Sequence, residues 1–254
     1  MSGPTIRGNL AVQDAGFEPA GIVVGAATYQ IVRPGGCRYG WGATKSAPFL
    51  EYSAYGQTVT RVWQEAIAAI EADARGRHAH GVAGVSVAEE WFAGSAYQVR
   101  LIGNAVVVRD VRPLPRPFLS TLSMEQTLKL VLRGWVPSGI GVGVAAVHVH
   151  GVHTSGFRQG AATRNIEMPV PTEAMQYVRR QIETRLRRSP TLRHAEGVIA
   201  ADTQLSYETE GCARVGPGIG LVGRMIGTGV VRFGEPTVAI DVAVSVAKGE
   251  DDDG

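Results

Sequence analysis

Residues 10–31, LAVQDAGFEPAGIVVGAATYQI, lie over residues 128–149, LKLVLRGWVPSGIGVGVAAVHV, without a gap. Gly16, Phe17, Pro19, Gly21, Ile22, Val24, Gly25 and Ala27 face Gly134, Trp135, Pro137, Gly139, Ile140, Val142, Gly143 and Ala145. A match of that density marks an internal duplication, and a repeat has to be recognised before any fold is assigned. Two later blocks recur in the same order. Arg77-His78-Ala79-x-Gly81-Val82 matches Arg193-His194-Ala195-x-Gly197-Val198, and Ile102-Gly103-x-Ala105-Val106 matches Ile226-Gly227-x-Gly229-Val230.

Each copy reads as a short helix, a strand, a long loop, an amphipathic helix and two further strands. In the second copy the short helix opens at the capping box Ser123-x-x-Gln126 and stops at Gly134, a residue suited to the left-handed turn past a helix end. Val59, Val62, Trp63, Ala66, Ile67 and Ile70 recur at helical spacing, as do Met175, Val178, Ile182 and Leu186, so each long helix buries one stripe. Tyr97-Gln98-Val99-Arg100-Leu101 alternates as a strand with one solvated face. The expected fold class is α+β, two tandem β-α-β-β units. The first spans 8–112 and the second 123–247, joined by a stiff proline-rich linker at 113–122. Thr237 to Val246 alternates as an additional C-terminal strand, and 248–254 reads as an acidic disordered tail.

The 254 residues, 44% hydrophobic and 19% charged, suffice for a sizeable core. The apolar runs are too short and glycine-rich to span a bilayer, so no transmembrane segment is expected. Cys37 and Cys212 are too few for a disulfide framework and lack metal or redox spacing, which points to a reducing cytoplasm. The net charge of +2 conceals a cluster of arginines at 179, 180, 185, 187, 188 and 193. Such blocks ordinarily solvate a helix face; the other reading of helix 175–188 is a surface for an anionic partner, nucleic acid or lipid headgroup.

Ser53-x-Tyr55 before the first long helix, Ala79-x-Gly81-Val82-x-Gly84 after it, and the closing Ile102-Gly103-Asn104-Ala105-Val106 and Ile226-Gly227-Thr228-Gly229-Val230 resemble the YbjQ-like family, whose domain is labelled heavy-metal-binding. The resemblance implies a β-α-β-β subunit, similar to that of dodecins, with an antiparallel sheet packed on a helix. It also implies assembly as a ring-forming homo-oligomer, a pentamer, and a scaffold or binding role. His80 stands where the family carries an acidic residue.

The histidines supply the candidate chemistry. His148 and His150 are two apart on a strand and share a face, and His153 follows in the loop, so the three are candidate ligands for zinc, copper or nickel. Polar strand ends also carry histidine for solvation alone. Tyr39, Trp41, Phe49, Tyr52 and Tyr55 make the loop 34–56 aromatic, as a ligand pocket or subunit contact would be. No phosphate loop, dinucleotide fingerprint, GxSxG or HExxH is present, and Glu89 and Glu90 are adjacent on a strand and point to opposite faces. The expectation is a binding protein, not an enzyme.

Overall fold

The computed structural model describes residues 16–31, 49–93, 95–109, 115–149, 168–212 and 216–233; of 200, 201, 209–212, 216 and 217 it describes only the backbone. The elements are β1 (Phe17–Gln30), β2 (Phe49–Glu51), α1 (Ser53–Gly76), β3 (Gly81–Phe92), β4 (Ala96–Val108), β5 (Phe118–Leu119), α2 (Met124–Val131), β6 (Trp135–Val149), α3 (Pro169–Arg187), a 3-10 turn (Pro190–Leu192), β7 (Gly197–Cys212) and β8 (Gly216–Arg232). They form two four-stranded sheets, ordered β1-β4-β3-β5 and β2-β6-β8-β7.

Local chemistry explains these elements. Ser123 accepts from the Gln126 amide while the Gln126 side chain accepts from the Ser123 amide, so the capping box closes and starts α2. Pro19 and Pro137 have no N–H to give a ladder, and each sheet shifts register there, between Pro19 and Gly21 and between Pro137 and Gly139. Gly25 and Gly143 let the long helices lie directly on the strands. A Cβ at Gly25 would overlap the Ala66 carbonyl, and one at Gly143 the Ile182 carbonyl. The predicted stripe of α1, from Val59 to Ile70, is buried throughout, whereas Met175 of α3 is exposed.

The expectation of tandem β-α-β-β units that form a ring is overturned. The chain is an α+β fold with a curled, open half-barrel sheet that does not close into a ring. A β-α-β-β order can be traced along each half, but neither half is a self-contained unit. β2, from the first half, extends the second sheet by pairing antiparallel with β6. β5, within the predicted linker, extends the first sheet by pairing parallel with β3. α1 buries residues toward both sheets, and one apolar core joins Val62, Trp63 and Ile70 of α1 to Val23, Val99 and Leu101 of the first sheet and Ile140, Val142, Val144 and Ile226 of the second. Arg185 of α3 ties β2 down by pairing with Glu51 and donating to the Val144 carbonyl at 2.7 Å. The physical reason is burial: the outward face of the second sheet is apolar, and it is removed from water within the chain by α1.

Candidate ligand site between the two sheets

Where the outward face of β6, β7 and β8 meets the inner face of β3 and β4, a cleft of about 500 Å³ remains. Tyr52 and Tyr55, at the start of α1, Trp91 and Tyr97 give it aromatic walls; Val144, Ala146 and Val222 supply apolar surface; Glu89, Asp202, Gln204, Ser206, Glu208 and Arg224 make it polar. Strand pairing dictates this composition. Gln204 is opposite Arg224 and Ser206 opposite Val222, so their side chains share one face. Glu89 is opposite Val99 and Trp91 opposite Tyr97, which brings them to the face that α1 covers.

Arg224 is the centre of the site. Its side chain is 12% exposed, and its Nη2 donates to Asp202 Oδ2 at 2.8 Å and Gln204 Oε1 at 2.9 Å. Its guanidinium carbon sits 5.4 Å over the Trp63 ring, a cation–π contact inside the core. Arg224 Nε approaches Glu89 Oε1 at 2.7 Å, yet the two atoms are not aligned as a hydrogen bond, so Glu89 Oε1, Arg224 Nε and Arg224 Nη1 are buried without one. The attraction is therefore Coulombic, and directional hydrogen-bonding capacity stays open at the cleft floor.

Behind this pair, Trp63 Nε1 donates to the Tyr97 hydroxyl at 3.2 Å, and Tyr97 in turn donates to Glu89. Burial pushes the Glu89 carboxyl above its ordinary value of 4.5, against the opposing pull of Arg224 and the Tyr97 hydroxyl, with the Asp202 charge adding to the rise. Burial, and then the neighbouring Glu89 charge, also push the Tyr97 hydroxyl far up, so it remains a donor at any physiological pH. Trp91 and Tyr97 pack as a tilted pair with centroids 4.8 Å apart.

The candidate metal ligands fare differently. His148 is fully buried, its ring 5.9 Å from that of Tyr52 and in the space left by the missing side chain of Gly218. His150 and His153 lie outside the described residues, as do Cys37, Thr237 to Val246 and the acidic tail. Among the described residues, no three His, Cys, Asp or Glu side chains are grouped to hold a metal ion. His80 is also buried and accepts the Val108 amide on Nδ1 at 3.1 Å, while His194 is exposed beside Arg193. Of the arginine cluster, Arg185 faces inward to Glu51 and Arg187 pairs with Glu183; Arg179, Arg180, Arg188 and Arg193 are exposed.

Glu89 and Asp202 were visible in sequence as carboxylates near corresponding strands, but Arg224, Tyr97, Trp63 and Gln204 were not singled out. One signal was present. Arg224 is the lone charge in GIGLVGRMIGTGVV, a strand otherwise glycine and aliphatic, where a charge demands a partner. Among the described residues no helix is long and apolar enough to cross a membrane. Compared with known proteins, the chain matches no protein-family model and no curated protein.

Proposed function

We propose that the chain is a non-catalytic binding protein whose copies associate head to tail through the same kind of contact that joins its own halves. One observation carries this reading. Ile22, Val24 and Ile102 on the outward face of the first sheet are 62%, 45% and 38% exposed, whereas their repeat counterparts Ile140, Val142 and Ile226 are 0%, 2% and 2% exposed. The registers agree, since Val24 is opposite Ile102 as Val142 is opposite Ile226.

The complementary wall is exposed as well. Val59, Glu89 and Trp91 face the second sheet across the cleft; their counterparts in the second half are Met175, Leu205 and Tyr207, which are 42%, 46% and 76% exposed. Each chain thus presents both partners of its internal junction, one at either end, and a heterologous contact between copies would bury both. A non-catalytic role is supported by the bridging of Glu89 and Asp202 through one guanidinium, which leaves neither as an independent acid or base.

Sedimentation of two variants and their mixture tests the reading. Val24→Asp and Leu205→Asp each spoil one end, so each alone is expected to sediment as a monomer. Their equimolar mixture retains one intact end on each chain and is expected to give a dimer. A monomeric wild-type chain, or variants that associate undiminished, would overturn the proposal.

A second reading is favoured by the exposure of Arg179, Arg180, Arg188 and Arg193, which present cationic charge along α3 and the turn after it to an anionic partner. Binding to heparin that weakens steeply between about 50 and 200 mM salt, and is lost in Arg179→Ser/Arg180→Ser, is its signature. Retention unchanged by the double substitution would exclude it.

A further inference from the structure

The floor of the cleft has a donor and an acceptor side by side. Arg224 Nη1 is buried with no hydrogen-bond partner, and Glu89 Oε1, on the same guanidinium, is buried without one. Leaving such groups unsatisfied costs about 1–3 kcal/mol each, more when charged, so the folded chain holds binding capacity in reserve at this point. The charges around them select by exclusion. The carboxylates of Glu89, Asp202 and Glu208 line a cleft with one guanidinium, so an anionic ligand is repelled. A simple amine satisfies Glu89 but sets like charge against Arg224.

What fits is a neutral group that accepts from one atom and donates from the next. A hydroxyl has to serve both protein atoms from a single oxygen; a cyclic amide edge, N–H beside C=O, offers one atom to each. The volume falls within the range of small-molecule sites, and the tilted Trp91–Tyr97 pair supplies a flat aromatic wall. We propose that the cleft is a binding site for a planar, neutral heterocycle carrying a cyclic amide edge, with the edge read by Arg224 and Glu89 and the ring laid against Trp91. The wall comes from the first half of the chain and Arg224 from the second, so the site exists only where the halves meet.

Isothermal titration of the full chain with guanosine, which carries such an edge, and adenosine, which does not, tests this. Guanosine is expected to bind at least tenfold tighter than adenosine and glucose, with at least a tenfold loss in Arg224→Met. Since Arg224 also packs on Trp63, the wall variant Trp91→Ala provides a second arm, with folding checked by circular dichroism; it is expected to weaken guanosine severalfold. No guanosine binding at millimolar concentration, equal affinity for adenosine, tighter binding of glucose, or affinity unchanged in both variants would each overturn the proposal.

Discussion

Ile22 and Ile140 occupy corresponding positions in two strands with the same proline bulge and the same alternation, yet one is 62% exposed and the other fully buried. The strands do not differ in kind. The difference lies in what covers them: α1 packs across the outward face of the second sheet, and among the described residues no element does so for the first. The helices mirror this. α1 buries Val59, Trp63, Ile67 and Glu71 along a second stripe, while α3 presents Met175, Arg179, Glu183 and Arg187 at the corresponding positions. A contact between copies would therefore place Arg179 where the internal junction has Trp63, and would be weaker and more sensitive to salt than the internal one.

The largest test of this contrast is a matched pair of substitutions. Val142→Asp buries a carboxylate in the joint core with no partner and is expected to cost more than about 3 kcal/mol in urea denaturation. Val24→Asp, at the corresponding position, is expected to change the stability of the monomer by no more than about 0.5 kcal/mol, because its side chain already meets water. Equal losses would mean that the outward face of the first sheet is core after all, and the distinction between the faces would collapse.

A smaller effect separates the polar junction from its apolar counterpart. Burial raises the Glu89 carboxyl above 4.5, so above that value the folded protein holds a proton that the unfolded chain releases. Stability from this group is thus full below the unfolded value and falls as pH rises toward the raised one. Glu89→Gln is expected to flatten that part of the profile, measured by urea denaturation from about pH 4 to 7; Leu205, its counterpart, carries no such proton. An unchanged slope in the variant would show that Glu89 titrates normally.

Much of the local architecture was legible. The stripe of α1 followed from its spacing, the start of α2 from its capping box, and the opposite orientations of Glu89 and Glu90 from strand alternation; Glu90 indeed turns outward to pair with Arg100 at 3.2 Å while Glu89 turns into the cleft. The charged floor was not legible, because its members sit on β3, β7 and β8, far apart along the chain, and are assembled only by the packing of one sheet against the other. Nor did the linker reveal β5: Phe118 and Leu119 gain strand geometry from a free edge of β3, not from a pattern of their own.

By itself the amino-acid sequence determined the period of each element, the glycines that admit close helices, and the correspondence between the halves, since these rest on local stereochemistry and spacing. Only the tertiary structure decided which of two equivalent apolar faces is covered, that strands are exchanged between the sheets, that the sheet remains open, and that Arg224 meets Glu89. Those outcomes depend on long-range burial, which pairs surfaces according to what remains uncovered once the local elements have formed.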